Sequence, residues 1–341
     1  MFQQREGDVK RTTVLASLCR SREDEELLRE IIAQELGPEV EMIDLLVSRS
    51  KEEYAKFLDK AEVLFAYRLP KDYSTFIERA NKLNWLHLAA AGVDGSLYDD
   101  LKTRSFVISN SRGMHANRCA EYVIGSIIAY TKGFMKAWKL QGEKRWARAE
   151  LIQENKTLAG KTLGILGLGA VGKAVAKVAH PFGLEILGLR RHPEEHPKPL
   201  EISHVFGPQN LREFIHPLDY LVLAVPLTKE THRLIDREEF VRLKTTALIV
   251  NISRGAILEE AALIQSLEDG EIGGAVLDVF EEEPLSQKSP LWSMENVFIT
   301  PHVAGTYPHY LRDAARIFAR NLRHYLEKRP LENLIDKDLG Y

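Results

Sequence analysis

Three closely spaced glycines are the first residues of this sequence whose arrangement indicates a function. Gly167, Gly169 and Gly172 form a G-x-G-x-x-G pattern that also contains Ala170 and Val171. An apolar, strand-like run precedes the pattern, and a helical segment follows it. Such glycines allow a tight turn and close approach of the backbone to a pyrophosphate, which then meets the free N–H groups of the helix N-terminus. The pattern alone is a weak signal, but this context predicts a dinucleotide-binding turn rather than a glycine-rich turn without a ligand.

Two arginines end the next predicted strand, at the place where an NAD-binding chain carries an acidic residue. These are Arg190 and Arg191, and Arg190 follows Gly167 by 23 residues. A guanidinium cannot accept hydrogen bonds from ribose hydroxyls, but it pairs with a 2′-phosphate. The plainer alternative is a pair of solvated loop arginines, one of them stacked on the adenine. We predict NADP(H) as the preferred cofactor, with NAD(H) as the alternative.

Three polar segments follow later strands of the same alternating series. They are NISRG at 251–255, LDVFEEEP at 277–284 and TPHVAG at 300–305. Ligands of open α/β sheets bind outside the carboxyl ends of the strands. We therefore expect the three segments to meet at one crevice, beside the glycine turn.

Together with AGVD at 91–94 and PLT at 226–228, these segments resemble the NAD(P)-dependent D-isomer-specific 2-hydroxyacid dehydrogenases. That family includes glyoxylate/hydroxypyruvate reductases, D-lactate dehydrogenases and phosphoglycerate dehydrogenases. The resemblance extends from about residue 60 to Tyr341, and five motifs in order are much more specific than any one of them. It implies hydride transfer from a nicotinamide to a small 2-oxo acid of the glyoxylate or hydroxypyruvate type, which yields the D-2-hydroxy acid.

The resemblance assigns catalytic roles to three residues. His302 is the acid/base, which suits histidine because its unperturbed pKa lies near 6.5. Glu283 is its partner, since a neighbouring carboxylate favours the protonated imidazole and fixes the ring. Glu283, and not Glu281 or Glu282, directly precedes the proline, as the family's glutamate does. Arg254 binds the carboxylate and the 2-oxo oxygen of the substrate with its planar fork.

Each of these segments taken singly also fits an ordinary structural interpretation. His302 fits a loop histidine, and the run of three acids fits a solvated face. Arg254 fits a residue that leads into a helix, with Ser253 as the cap. The order of all the motifs together favours the functional interpretation.

The resemblance also implies further contacts with the cofactor. The counterpart of Asp278 accepts a hydrogen bond from the nicotinamide carboxamide, and the backbone at 225–226 and 251–253 lines the nicotinamide. The predicted cofactor contacts are Gly167, Gly169, Ala170, Val171, Gly172, Arg190, Arg191, Val225, Pro226, Thr228, Ile252, Ser253, Arg254, Asp278, His302 and Gly305.

Substrate contacts are expected from both halves of the chain. Backbone N–H groups at 91–93 resemble the family's carboxylate-binding loop, and Arg68 follows a strand on the same side. A plain surface cation fits Arg68 equally well. The predicted substrate contacts are Arg68, Ala91, Gly92, Val93, Arg254 and His302, and no metal is expected.

Two series of alternating strands and helices must position these residues. The first series has strand-like runs at 13–18, 40–46, 63–67, 85–89 and 106–109, and the second has them at 162–166, 185–189, 221–225, 247–251, 275–279 and 297–300. Such alternation is typical of parallel sheets with crossover helices. The predicted fold is α/β, with two doubly wound parallel-sheet domains: a Rossmann cofactor domain at 112–305 inserted into a flavodoxin-like substrate domain at 1–111 and 306–341.

Composition excludes several classes of protein. The 341 residues include 46 basic and 49 acidic side chains, a net charge of −3, which is not the basic footprint of a nucleic-acid-binding protein. Two cysteines exclude a disulfide framework. No apolar run approaches the length of a bilayer span, and the N-terminus lacks a signal core. We expect a soluble, cytoplasmic protein with no nucleic-acid or membrane partner.

Apolar residues at helical spacing predict one long helix over 116–141, with Asn117 as its cap. By the family resemblance this helix is the arm of a homodimer with an isologous contact. A second hypothesis for the whole chain is a dinucleotide-sensing, corepressor-like binding protein, because the family includes corepressors with the same fold and triad. The lack of a basic patch favours the hypothesis of an enzyme over that of a corepressor-like binding protein.

Overall fold

A computed structural model of the protein describes residues 11–67, 79–92, 101, 103–195, 197–339 and 341. The chain divides into two compact units, one formed by Met1–Met114 with Tyr307–Tyr341 and the other by His115–Thr306. None of the helices in the described ranges combines the length and the apolar character that a membrane span needs. The assignment of the first unit to the substrate and of the second to the cofactor stays a prediction.

The first unit contains a sheet of five parallel strands in the order β2-β1-β3-β4-β5. The strands are β1 (Thr12–Ala16), β2 (Ile43–Val47), β3 (Val63–Ala66), β4 (Trp85–Leu88) and β5 (Val107–Asn110). All five expected strands are present. The prediction for β2 was wrong at its start, because Gly37–Met42 form a 3₁₀ helix with Pro38 in its first turn.

Helices α1 (Arg22–Leu36) and α2 (Lys51–Leu58) and the C-terminal helix Tyr310–Leu326 cover this sheet. A capping box starts α1: the Ser21 hydroxyl accepts from the Asp24 N–H, and the Asp24 carboxylate accepts from the Ser21 N–H. Phe318 of the C-terminal helix stacks on Phe65 of β3, with 4.2 Å between the ring centres. The first unit therefore closes its core with residues from both ends of the chain.

A buried polar network lies inside this core. His87 of β4 is fully buried, with Nδ1 2.8 Å from the Ser109 hydroxyl and Nε2 3.1 Å from the Ser111 hydroxyl. The Trp85 indole N–H also donates to Ser109. Burial lowers the pKa of His87 to about 3, so this imidazole is neutral in the folded protein at neutral pH.

The second unit contains a sheet of seven parallel strands in the order β12-β11-β10-β9-β6-β7-β8. They are β6 (Thr162–Leu166), β7 (Glu185–Leu189), β8 (His204–Phe206), β9 (Tyr220–Leu223), β10 (Leu248–Asn251), β11 (Gly274–Leu277) and β12 (Val297–Ile299). The six expected strands are all present. The seventh, β8, was missed because only two of its three residues are apolar, Val205 and Phe206, and the polar His204 precedes them.

Helices lie on both faces of this sheet, over two separate apolar clusters. They are α3 (Ala116–Thr131), α4 (Phe134–Gly142), α5 (Arg148–Glu154), α6 (Ala170–Ala179), α7 (Leu211–Ile215), α8 (Arg237–Phe240) and α9 (Glu260–Glu268). Helices α3 and α6 pack against each other on the same side. The buried strands β6, β9 and β10 separate the clusters, as expected for parallel strands covered on both faces.

The single helix expected over 116–141 is two helices, so that prediction was wrong. Gly133 adopts a left-handed conformation with φ +64°, which ends α3 and starts α4. The predicted cap was also wrong: α3 begins at Ala116, directly after His115, and Asn117 lies inside its first turn.

Candidate active site

The three glycines of the predicted dinucleotide turn differ in what a side chain would meet at each position. Gly167 follows β6 with φ +102°, and a Cβ there would lie 2.5 Å from the Ala224 carbonyl oxygen. A Cβ on Gly172 would lie 1.9 Å from the Gly167 carbonyl oxygen, so only glycine lets α6 pack so closely. Gly169 precedes the first residue of α6, and no atom lies within 4 Å of its missing Cβ. The turn thus leaves open space before the helix N-terminus, where a pyrophosphate fits.

Arg190 and Arg191 directly follow β7, the strand next to β6. Arg190 donates to the Pro193 carbonyl oxygen at 2.6 Å. Arg191 lies 3.5 Å from Glu230, a residue that the sequence interpretation did not select. The Glu230 carboxylate also accepts from the Thr228 hydroxyl at 2.7 Å, and this hydrogen bond is the main reason why its pKa is lowered. Glu230 therefore connects the arginines that follow β7 to the PLT segment at 226–228.

The side chains of His302 and Glu283 are within hydrogen-bond distance, which joins two of the polar segments. The imidazole Nδ1 lies 2.7 Å from Glu283 Oε2, and the other carboxylate oxygen accepts from the Phe280 N–H at 3.2 Å. The side chains are 42% and 36% exposed, so solvent or a substrate can reach the pair. Of the three acids in the run, Glu283 is the one that contacts the imidazole.

Three consecutive N–H groups of the His302 loop converge on Asp278. His302 donates to the main-chain oxygen of Asp278 at 2.8 Å, while Val303 and Ala304 donate to its two carboxylate oxygens at 2.8 and 2.9 Å. Asp278 is 1% exposed. His302 itself has φ +55°, a left-handed conformation that costs about 1–2 kcal/mol for a residue other than glycine. The hydrogen bonds to Asp278 hold the loop in this conformation.

Arg254 lies three residues after the end of β10, and its backbone is fixed by a buried asparagine. Asn251 donates to the Arg254 carbonyl oxygen at 2.9 Å and accepts from both the N–H and the hydroxyl of Ser253. The half-buried Arg254 side chain donates to the Ser253 carbonyl oxygen at 2.6 Å. Ser253 caps no helix here, so the structural alternative of a capped helix lead-in is wrong: a single 3₁₀ turn, Gly255–Ile257, follows.

The segment that contains Arg254 (residues 251–255) and the acidic segment (residues 277–284) are in direct contact. A Cβ on Gly255 would lie 1.8 Å from the Phe280 carbonyl carbon, so these two backbones approach as closely as glycine allows. Glu283 binds the Phe280 N–H and His302 at once. The loops after β10, β11 and β12 are therefore adjacent, as the strand order requires.

The remaining predicted cofactor residues lie around the same strand ends. Val225 follows β9 and lies 2.8 Å from the position of a Cβ on Gly167. Pro226 accepts a hydrogen bond from Thr231, which also binds Thr228. Ile252 directly follows β10, and Gly305 lies close to the start of α3, where a Cβ would meet His115 at 3.1 Å.

The predicted substrate residues of the first unit are described only in part. Ala91 follows β4, and its carbonyl oxygen accepts from the Asn110 side chain at 2.6 Å. Gly92 is the last described residue of this loop, and Arg68 and Val93 lie outside the described residues.

Sequence reasoning missed three residues of the site in the second unit. Glu230 contacts Arg191, while Tyr122 and Thr300 extend the network around Asp278. Tyr122 and Thr300 are 178 positions apart in the sequence, so no local pattern could pair them. Glu230 could have been found, because it lies two residues after Thr228 in a loop predicted to bind the cofactor.

Comparison with known proteins identifies the family. The model of the D-isomer specific 2-hydroxyacid dehydrogenase family, NAD binding domain, matches residues 124–304. A glyoxylate reductase of Thermococcus gammatolerans is 32% identical over 321 residues, which cover 92% of this chain and 92% of that protein. The chain belongs to this family.

Other members cover the chain to different extents. D-3-phosphoglycerate dehydrogenase of Methanocaldococcus jannaschii is 31% identical over 87% of this chain, but the chain spans only 56% of that protein's length. The solved D-isomer specific 2-hydroxyacid dehydrogenase of Xanthobacter autotrophicus Py2, a complex with NADPH and MES, is 27% identical with a TM-score of 0.81, covering 97% of this chain and 100% of that one.

Family membership confirms the resemblance seen in the sequence motifs and the predicted fold of two parallel-sheet α/β domains. The protein is an oxidoreductase of the D-2-hydroxyacid dehydrogenase class, and its residues 124–304 match the family's NAD binding domain. Its cofactor is therefore a nicotinamide dinucleotide.

Proposed function

We propose that this dehydrogenase reduces a small 2-oxo acid of the glyoxylate or hydroxypyruvate type to the D-2-hydroxy acid, with NADPH as the preferred reductant. The observation that carries the proposal is the 2.7 Å pair of His302 and Glu283, beside the loop of Arg254. It supplies a proton donor, a carboxylate that stabilises the protonated donor, and a cation for an acidic substrate. The glyoxylate reductases among the relatives support the substrate class.

His302 is the proposed proton donor. A bound nicotinamide cofactor supplies the hydride that reduces the 2-oxo carbon. Because Nδ1 is held by Glu283, the proton for the developing alkoxide comes from Nε2. Glu283 stabilises the imidazolium before transfer and keeps the ring oriented. The orientation is set by the backbone contacts of both residues and needs no rearrangement during the reaction.

Arg254 is the proposed anchor for the substrate. Its guanidinium binds the carboxylate and the 2-oxo oxygen, and so polarises the carbonyl that is reduced. The Arg254 guanidinium donates through Nη1 to the Ser253 carbonyl oxygen at 2.6 Å, which holds the side chain beside its own loop. We further propose that the backbone of Ala91, Gly92 and Val93 and the side chain of Arg68 contact the substrate.

The glycine turn fits a dinucleotide, since Gly169 leaves open space before α6. In the proposed mode the turn from Gly167 through Gly172 holds the pyrophosphate, and Arg190 and Arg191 hold the 2′-phosphate. Val225, Pro226, Thr228, Ile252, Ser253, Asp278 and Gly305 contact the rest of the cofactor. The preference for NADPH is supported by the two cations after β7 and by the NADPH bound in the structure from Xanthobacter autotrophicus.

We also propose that residues 116–141 form the arm of a homodimer, with the contact at the face of α4 and the adjoining α5. Trp138 and Phe134 lie on α4 and are 78% and 56% exposed, and Trp146, in the link between α4 and α5, is 94% exposed. An open groove of about 620 Å³ lies beside Trp146 and Leu140. Exposed aromatic residues in such number mark an interaction surface, and a second copy is the simplest occupant. A cytoplasmic location without nucleic-acid or membrane partners completes the proposal.

One assay tests the proposed activity. The purified protein is mixed with NADPH or NADH and a panel of 2-oxo acids that includes glyoxylate, hydroxypyruvate, pyruvate and 2-oxoglutarate, and cofactor oxidation is followed at steady state. We expect turnover of the small acids with NADPH. Tight NADPH binding without turnover of any 2-oxo acid would refute the proposed enzymatic activity and favour a dinucleotide-sensing binding protein.

A further inference from the structure

A chain of hydroxyl groups connects helix α3 to Asp278. Tyr122 Oη lies 2.6 Å from Thr300 Oγ1, and Thr300 Oγ1 lies 2.5 Å from Asp278 Oδ1. A threonine hydroxyl carries a single proton, and here it donates that proton to the carboxylate. Tyr122 must therefore donate to Thr300, so the direction of the chain is Tyr122 to Thr300 to Asp278.

The same carboxylate holds the loop that carries the proposed acid. Oδ1 of Asp278 accepts from Thr300 and from the Val303 N–H, and Oδ2 accepts from the Ala304 N–H. His302 precedes Val303 directly and has the left-handed φ of +55°. A change in the orientation of the carboxylate therefore reaches His302 through the adjacent peptide bonds.

Tyr122 is well suited to be the outer end of this chain. Burial raises its pKa to about 12, so the hydroxyl keeps its proton and remains a donor throughout the pH range of an assay. The ring packs against the apolar cluster between α3 and the sheet, which fixes the position of the hydroxyl. Helix α3 begins at Ala116, so Tyr122 lies in its N-terminal half, where its hydroxyl reaches Thr300 after β12.

We propose that Tyr122 is a positioning residue for catalysis: through Thr300 it fixes the Asp278 carboxylate, and so it holds the loop of His302 in the geometry that proton transfer requires. This inference rests on the proposed function, since it assigns His302 as the acid. It gives Asp278 a structural task besides any contact with the cofactor. Tyr122 itself touches neither substrate nor cofactor in this role.

Helix α3 contains a matched control residue. Tyr130 donates from its hydroxyl to the Gly273 carbonyl oxygen at 2.6 Å, just before β11. Like Tyr122, it is half-buried and packs against the same apolar cluster. Its hydrogen bond lies at the opposite end of the sheet from His302. The two tyrosines therefore make similar contributions to the packing of α3, and only one reaches the His302 loop.

The test compares Tyr122→Phe with Tyr130→Phe in the full-length protein. For Tyr122→Phe we expect kcat to fall by about three- to tenfold, the effect of one lost hydrogen bond. KM for the 2-oxo acid and the affinity for NADPH should stay within about twofold, because no group that binds them is removed. Amide hydrogen exchange at 303–304, measured without cofactor, should become faster. Tyr130→Phe should change neither kcat nor this exchange.

Thr300 supplies the rescue experiment. Thr300→Ser keeps the hydroxyl and should retain most of kcat, whereas Thr300→Val removes it and should match Tyr122→Phe. Equal kcat values for Tyr122→Phe and Tyr130→Phe, together with unchanged exchange at 303–304, would overturn the positioning role. Wild-type protein that turns over no 2-oxo acid would refute the proposed function instead. In that case the exchange measurement still decides whether Tyr122 orders the loop.

Discussion

The imidazole of His302 and the carboxylate of Glu283 are 2.7 Å apart, and each is anchored to the backbone of the segment after β11. Glu283 accepts from the Phe280 N–H with its second oxygen, and the His302 N–H donates to Asp278. Because both partners are fixed by the protein, their mutual geometry does not depend on a substrate. Such preorganisation is what an acid/base pair needs to act without a reorganisation cost.

Replacing His302 by Asn should abolish most turnover and spare the fold. Asparagine tolerates the left-handed φ that His302 adopts, so the loop keeps its backbone while the proton donor is lost. We expect kcat to fall by about 10²–10⁴-fold, the usual contribution of a general acid. NADPH affinity, measured by fluorescence titration, should change little. The control is His216→Gln, since His216 is exposed. Near-native turnover in His302→Asn would show that another group donates the proton.

Replacing Glu283 by Gln should weaken catalysis less than the loss of His302 does. The amide keeps the shape of the side chain but no longer stabilises the protonated imidazole, so kcat should fall by about ten- to a hundredfold. Glu282→Gln, one residue away, should behave as wild type. A larger effect in Glu282→Gln would mean that the wrong member of the acidic run was chosen.

Replacing Arg190 and Arg191 by Ser should change the choice of cofactor. The 2′-phosphate loses its cationic partners, so KM for NADPH should rise by about ten- to a hundredfold while KM for NADH stays nearly constant. Arg212→Ser is a suitable control because Arg212 is exposed and pairs with Glu238 elsewhere on the same unit. Equal losses for both cofactors would contradict the phosphate-binding role of the pair.

Replacing Glu230 by Gln gives a second test of the same region. Glu230 lies 3.5 Å from Arg191. In the proposed binding mode the carboxylate competes with the 2′-phosphate for that guanidinium. Removal of its charge should lower KM for NADPH by about two- to fivefold, a small effect because the Glu230 side chain is 69% exposed and solvent screens the pair. KM for NADH should not fall. An increase in KM for NADPH would indicate that Glu230 holds Arg191 in its binding position.

Because His87 is buried in its neutral form, we expect the protein to lose stability in acid, independently of catalysis. Its pKa is about 3 in the folded protein and about 6.5 in the unfolded chain, so between these values only the unfolded state binds the proton. The stabilisation is complete above pH 6.5 and is lost progressively as the pH falls toward 3. Between pH 7.5 and 5.0 the free energy of unfolding should drop by about 2 kcal/mol from this residue alone. His87→Gln, which does not titrate, should lack this drop in urea unfolding at the two pH values; the same drop in the variant would rule out His87 as its source.

The homodimer can be tested at the face of α4 and α5. Trp146→Glu places a charge on a residue that is 94% exposed in the single chain, so the fold should tolerate it while the proposed contact is lost. Sedimentation should show a dimer for the wild type and a monomer for the variant. Trp292→Glu, at a half-exposed tryptophan on the same unit, should remain dimeric. A monomeric wild type would contradict the proposed dimer.

The sequence predicted the strands and the glycine turn well because both are local patterns. Apolar runs such as β6 and β9 are buried on both faces, and the turn from Gly167 to Gly172 follows a strand directly. Parallel order then placed the three polar segments side by side, without knowledge of any contact. The pairing of Glu283 with His302 came from the family resemblance, and the structure places the two side chains together.

Features that depend on single backbone angles or distant contacts could not be predicted in the same way. The apolar spacing continues through Gly133, and only its left-handed φ separates α3 from α4. Strand β8 begins with the polar His204 and contributes only two apolar residues, too few for a pattern. The contact of Tyr122 with Thr300 depends on how α3 packs on the sheet, which no local spacing encodes.

The most direct test of the account combines product stereochemistry with the loss of His302. Wild-type protein and His302→Asn are each incubated with hydroxypyruvate and NADPH, and the glycerate formed is resolved into its enantiomers. The account predicts D-glycerate from the wild type at a rate at least about 100-fold above that of the variant, with equal NADPH binding by both proteins. L-glycerate, or D-glycerate at similar rates from both proteins, would contradict it.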